Sequence, residues 1–167
     1  MAFWILSLMH FLVPHAPYAE TFAATAAAID KVAHEDPLYD DDDGVVRTAA
    51  ELVSLAFHES VFDPRAVDPE GQSFGLAQVH VSNLQNLGIA RREDLFDPET
   101  NLRAALKLMR ISHRLCRGHP GDESLANYAS GGPTCTVPAG LVASRRRMKL
   151  AGALLRRHPP RWIDVNP

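Results

Sequence analysis

Apolar residues recur along this chain at intervals of three and four, the spacing of one face of an α-helix. The clearest case lies at 45–58, where Val46, Ala49, Ala50, Val53 and Phe57 form one stripe. Leu52, Leu55 and Ala56 carry apolar character round to other sides, so this helix is expected to be central, with Glu59 at its C-terminal end. A second long helix is predicted from Asp97-Pro98, a good N-cap followed by a proline suited to the first helical position. Its stripe runs Leu102, Ala105, Met109, Ser112, Cys116, with Leu108, Ile111 and Leu115 beside it, and Gly118 and Pro120 end it. Further helices are expected at 18–34, at 82–87 stopped by Gly88, and at 123–129. A last one at 139–157 is expected to turn Leu141, Met148, Ala151 and Leu155 inward and its arginines mostly outward.

Between these elements the pattern breaks in two places. Residues 36–44 are turn formers and acids, and the Asp40–Asp43 run lacks the spaced ligands and central glycine of a calcium loop. It is expected to sit at the start of the following helix, where carboxylates meet the positive end of the dipole. Residues 62–78 are punctuated by Asp63-Pro64, Asp68-Pro69 and Glu70-Gly71 and read as turns with a short hairpin. Abundant alanine agrees with a mostly helical fold. The 167 residues, 46% apolar and 22% charged, suit one soluble globular domain.

The net charge of −3 is unevenly spread. Six acids and no base lie between Glu35 and Asp43; seven bases and no acid lie between Leu141 and Trp162. Either both are solvated faces, or the basic end docks on something anionic such as a wall polymer or an acidic protein. Nucleic acid is disfavoured because no aromatic residues interleave the arginines. The apolar start, 3–13, is too short to span a bilayer. It reads either as a structural helix or as a signal or anchor, although no base precedes it and no clean cleavage site follows. Cys116 and Cys135 have no zinc-ligand spacing; they are either one disulfide or two buried thiols. No metal and no cofactor is expected.

Three short stretches carry candidate chemistry: His58-Glu59-Ser60 with Val61-Phe62-Asp63-Pro64 after it, Gly75-Leu76-Ala77-Gln78, and Asn127-Tyr128-Ala129-Ser130-Gly131-Gly132. A carboxyl can protonate a leaving oxygen near neutral pH when apolar surroundings raise its pKa, and Glu59 follows an apolar helix and precedes Val61 and Phe62. Asp63, Asp68, Glu70 and Asp97 are candidate second carboxylates. Those preceding proline are better explained as turn or cap residues.

Together with Asp97-Pro98-Glu99-Thr100-Asn101, the order and spacing of these stretches resemble the soluble lytic transglycosylases and the related goose-type lysozymes, from about 45 to 132. The resemblance implies a mostly α, lysozyme-like helical domain with a small irregular or β-hairpin segment after the catalytic glutamate. A catalytic core at 45–132 would lie between an N-terminal helical extension, 1–35, and a basic C-terminal helix, 138–158. It implies Glu59 as the single catalytic residue, first acid and then base, cleaving peptidoglycan strands between N-acetylmuramic acid and N-acetylglucosamine to a 1,6-anhydro product. Hydrolysis and an inactive binding subunit are the alternatives. Ser60 would hydrogen-bond near the reacting sugar, Gln78 would reach substrate from the cleft wall, and Tyr128 would hydrogen-bond the catalytic carboxyl. The expected setting is the cell envelope or, with the apolar start and basic end as docking elements, a phage tail or injection assembly. The chain departs from the family at Val61 for a glycine, Ala77 for a methionine, His80-Val81 for Met-Pro and Ala129 for an asparagine.

Overall fold

The computed structural model describes residues 1–131 and 134–157. Gly132 of the third motif, and His158, Arg161 and Trp162 of the basic end, lie outside the described residues. The stretch whose apolar residues run furthest round the helix lies deepest in the fold. Among the described residues the helices are α1 (Ala2–Leu12), α2 (Phe22–Glu35), α3 (Gly44–Ser60), α4 (Leu84–Leu87), α5 (Pro98–Leu115), α6 (Ala126–Ser130) and α7 (Pro138–Arg156). A two-stranded antiparallel hairpin, β1 (Ser73–Phe74) with β2 (Val79–His80), pairs Ser73 with His80 and Phe74 with Val79. The mostly α, lysozyme-like class expected from the sequence is therefore the observed one.

Helix α3 is buried continuously from Thr48 to Ala56, and α1, α2 and α7 pack against it. Such burial requires its polar groups to find partners. Thr48 donates to the Gly44 carbonyl and accepts from the Leu38 amide, Ser54 donates to the Arg147 carbonyl at 2.7 Å, and Glu51 accepts from the Tyr39 hydroxyl. Only glycine fits at the start of the helix, because a Cβ on Gly44 would stand 2.1 Å from the Tyr39 carbonyl oxygen.

The apolar start is part of this core: Trp4, Ile5, Leu8 and Met9 are buried in one cluster with α2, α3 and α5, while Phe3 stays exposed. Helix α5 follows the predicted stripe, with Leu102, Ala105, Met109, Ser112 and Cys116 all buried, and Asp97 caps it by accepting from the Thr100 amide. Three helix starts move. Residues Ala19–Thr21, Val81–Asn83 and Gly121–Glu123 form single 3-10 turns, so α2 begins at Phe22, α4 at Leu84 and α6 at Ala126.

Helix α7 requires a larger correction. Its inward positions are Gly140, Ser144, Arg147, Ala151 and Leu154, one regular 4-3-4-3 series, whereas Leu141, Met148 and Leu155 are only half-buried at the edge. The observed inward face differs by one residue from the expected one at three of its four positions, because small residues and an arginine, rather than the large apolar side chains, face the neighbouring helices. Small residues sit inward where helices approach closely: a Cβ on Gly140 would lie 2.5 Å from the Ala126 carbonyl oxygen. Ser144 accepts from the Leu125 amide and donates to the Asp122 carbonyl, fixing α7 against the turn before α6. Cys116 and Cys135 form a disulfide that ties the end of α5 to the segment before α7. Its sequence separation of 19 corresponds to roughly 3 kcal/mol in the loop-entropy picture.

Both charged runs are partly used within the fold. Arg103 pairs with Glu35, Arg110 with Asp36 and Arg47 with Asp41, while from the basic run Arg145 pairs with Glu123 and Arg157 lies over the Phe11 ring.

Helix α3 ends at a left-handed residue, and that residue is Val61, with φ of 56°. A β-branched side chain is disfavoured in this conformation, which glycine adopts freely. Half-exposed Val61 loses little packing on truncation. Val61→Gly is therefore expected to raise unfolding stability by about 1 kcal/mol, read by urea denaturation.

Candidate active site

Glu59 lies in the last turn of α3, where the helix delivers it to a groove of about 1210 Å³. Residues 59–61 at the helix end, the loop and hairpin between Ala66 and His80, Leu108 and Ile111 of α5, and 127–131 of α6 line this groove. Val67, Leu108 and Ile111 give it apolar surface; Gln78, Ser82, Asn83 and Asn127 give it hydrogen-bonding groups. Such a mixture suits a polymer with both apolar ring faces and hydroxyl or amide edges.

The Glu59 side chain is 18% exposed. Burial pushes its pKa above the ordinary glutamate value, and the positive charge of Arg147 works against that rise. Arg147 is the residue that sequence reasoning missed. It occupies an inward position of α7, is 7% exposed, and donates from Nη2 to Glu59 Oε1. The inward series continued back from Leu154 and Ala151 in steps of three and four would have reached it.

Tyr128 is placed beside the pair, but its hydroxyl donates to the Ala77 carbonyl at 2.8 Å. The expected bond to the Glu59 carboxyl is replaced by the one from Arg147, since the single phenolic proton is already committed. Burial first, and then the Glu59 charge, push the Tyr128 phenol well above its usual range, so it remains a neutral donor. Ser60 likewise turns to the protein, donating to the Leu76 carbonyl at 2.8 Å with the Ala56 carbonyl at 3.1 Å. Gln78 has a positive φ of 48° and directs its amide nitrogen to the carbonyls of Gly75 and Ala66.

These bonds converge on the four residues 75–78. Asn101, buried in α5, completes the set: its Oδ1 accepts from the Ala77 amide at 2.8 Å and its Nδ2 donates to the Phe74 and Leu95 carbonyls. Gly75 is required there twice over, by a φ of +74° and because a Cβ would lie 2.3 Å from both Asn101 Nδ2 and the Leu95 carbonyl oxygen. The motifs recognised separately in the sequence are thus one hydrogen-bonded unit that shapes the 75–78 turn, whose Gln78 lines the groove with Glu59.

The model of the Transglycosylase SLT domain family matches residues 47–137, more than half of the chain. The chain belongs to this family. No curated protein and no solved structure matches it. Membership in the SLT family carries peptidoglycan-degrading transglycosylase activity in general. The matched segment of the SLT domain contains Glu59, Ser60, Gln78, Asn101 and Tyr128; Arg147 lies beyond its end.

Besides Glu59, Asp68 is the carboxylate that lines the groove of this SLT domain among the described residues. Its Oδ1 accepts from the Gln72 and Ser73 amides, which hold its pKa below the usual value. Asp63 accepts from the Arg65 amide and Asp97 caps α5, as turn and cap residues do. No cluster able to hold a metal ion, and no helix long and apolar enough to cross a membrane, is found among the described residues.

Asn101→Ala leaves two buried carbonyls and one buried amide without their partner. It is expected to cost about 3 kcal/mol or more in urea unfolding. A loss below about 1 kcal/mol would show that the 75–78 turn holds without it.

Proposed function

We propose that this domain cleaves the β-1,4 bond between N-acetylmuramic acid and N-acetylglucosamine in peptidoglycan by lytic transglycosylation, with Glu59 as acid and then base. The observation that carries this reading is a single, largely buried carboxyl with raised pKa in a groove of about 1210 Å³ lined by both apolar and hydrogen-bonding side chains. In the first half-reaction the Glu59 proton moves to the glycosidic oxygen. The bond from that oxygen to C1 of the muramyl sugar breaks, and the bonding electrons stay with the departing 4-hydroxyl. In the second half-reaction the muramyl 6-hydroxyl oxygen bonds to C1 and gives its proton to the Glu59 carboxylate. No water is consumed, and the acid form is restored.

Ser60, Gln78 and Tyr128 line the groove, and their donor protons are directed at protein carbonyls. We assign them to substrate chiefly through acceptor atoms. The Gln78 amide oxygen receives a sugar hydroxyl or N-acetyl N–H, and all three hold the wall against which the strand lies. The substrate and the Cys116–Cys135 disulfide agree with action outside the cytoplasm, in the cell envelope. A phage tail or injection assembly has less support. Most of the apolar side chains of α1 pack into the domain's own core, leaving Phe3 and Phe11 as its large exposed apolar residues.

The test is mass spectrometry of muropeptides released from purified sacculi. Wild type is expected to release fragments with anhydro ends, one water lighter than hydrolytic products. Glu59→Gln, confirmed as folded by circular dichroism, is expected to lose activity by at least roughly 100-fold. Reducing-end products in place of anhydro ends would establish hydrolysis, and no release by wild type would leave a binding role. Asp68 decides the hydrolytic alternative, which needs a second carboxylate to activate water. Asp68→Asn is expected to keep activity within about threefold of wild type, because that carboxylate is held by backbone amides as a turn.

A further inference from the structure

We infer that Arg147 is a positioning residue of this active site: a fixed counter-charge that meets the Glu59 carboxylate between the two half-reactions and keeps that carboxylate available as a base. This inference rests on the proposed acid–base role of Glu59, and it adds a residue from outside the segment that matches the SLT family.

The geometry leaves Arg147 little other work. It is nine-tenths buried, its Nη2 is bonded to Glu59 Oε1, and its Nε and Nη1 have no hydrogen-bond partner among the described residues. A guanidinium serving only to hold the fold would be expected to satisfy its donors on carbonyls, as Arg110 does with the Asp36 and Pro37 carbonyls. Its position is nevertheless well determined. Ser54 of α3, five residues before Glu59, donates to the Arg147 carbonyl. Ser144 and the close approach at Gly140 fix the preceding turns of α7 on the segment leading into α6. The cation is therefore held in place before the proton leaves, which is how a preorganised charge assists a developing one.

The neighbouring titratable groups do not duplicate this role. His58, also from α3, is pushed toward its neutral form by burial and then by Arg147 and Arg146. Tyr128 from α6 is held neutral. Arg146 of α7 lines a neighbouring recess with His58 and Val142, which Arg147 also borders, and Asp68 and His80 belong to the loop and hairpin lining of the groove. The balance between acid and base forms of Glu59 thus falls to its burial, which favours the acid, and to Arg147, which favours the carboxylate. Removing the guanidinium leaves burial unopposed. The acid form then persists to higher pH, while the carboxylate formed after the first half-reaction is less stable.

The test compares wild type, Arg147→Met and Arg147→Lys. Each protein is labelled with carboxyl-13C glutamate, and the Glu59 signal is identified by its loss in Glu59→Gln. In Arg147→Met the Glu59 titration midpoint is expected to rise by about one pH unit or more, and in Arg147→Lys to stay near that of wild type. The alkaline limb of the rate against sacculi is expected to move upward with the midpoint, and turnover at the optimum to fall on the order of 100-fold in the methionine variant. Arg147→Gln serves as the neutral variant should the methionine form fail to fold. An unchanged or lowered midpoint in a folded neutral variant overturns the assignment, as does a rate profile that superimposes on that of wild type. The titration requires no turnover. A wild type that leaves sacculi intact therefore removes the proposed function, whereas the titration separately decides the Glu59–Arg147 pair.

Discussion

A carboxyl group carried into the interior at the end of an apolar helix must be either protonated or paired, because an isolated buried charge is strongly disfavoured. The architecture around Glu59 follows from that constraint. Helix α3 is central because its apolar residues leave it no exposed face over most of its length, and centrality brings its last turn to the groove largely out of solvent. Burial alone would leave Glu59 a persistent acid. The guanidinium of Arg147 draws it back toward ionisation, so the carboxyl is under both influences at once.

The opposite wall is built from neutral polar groups. Ser60, Gln78, Asn101 and Tyr128 come from four separate segments, and each directs a hydrogen bond at 74–78 or its immediate neighbours. A two-residue hairpin has almost no stability of its own. Here it is held by side chains whose positions are already fixed by α3, α5 and α6. The shape of the wall therefore depends on side chains that face the protein.

Helix α7 links these parts. Its inward series of glycine, serine, arginine, alanine and leucine lets it lie close to α6 at one end and sink into the core at the other, with the arginine at the level of the Glu59 carboxyl. The disulfide anchors the segment before it to the end of α5. A helix that would pass as a basic surface element thereby becomes part of the site.

The sequence alone determined what depends on local periodicity and capping. These were the central helix ending at Glu59, the α5 stripe from Leu102 to Cys116, the Asp97-Pro98 start, the hairpin region after Glu59, and the family through the order of its motifs. Those features follow from side chains three or four residues apart, or from one residue's preferred backbone conformation. What the tertiary structure decided is which polar groups meet across distances along the chain that periodicity cannot span. Arg147 reaches Glu59 across 88 residues and Tyr128 reaches the Ala77 carbonyl across 51, so the Glu59 carboxyl is held by an arginine and the tyrosine is left to the wall. A charged residue in an arginine-rich helix carries no local mark of being turned inward. Only the close packing of Gly140 and Ser144 against their neighbours sets the rotation of the helix that buries it.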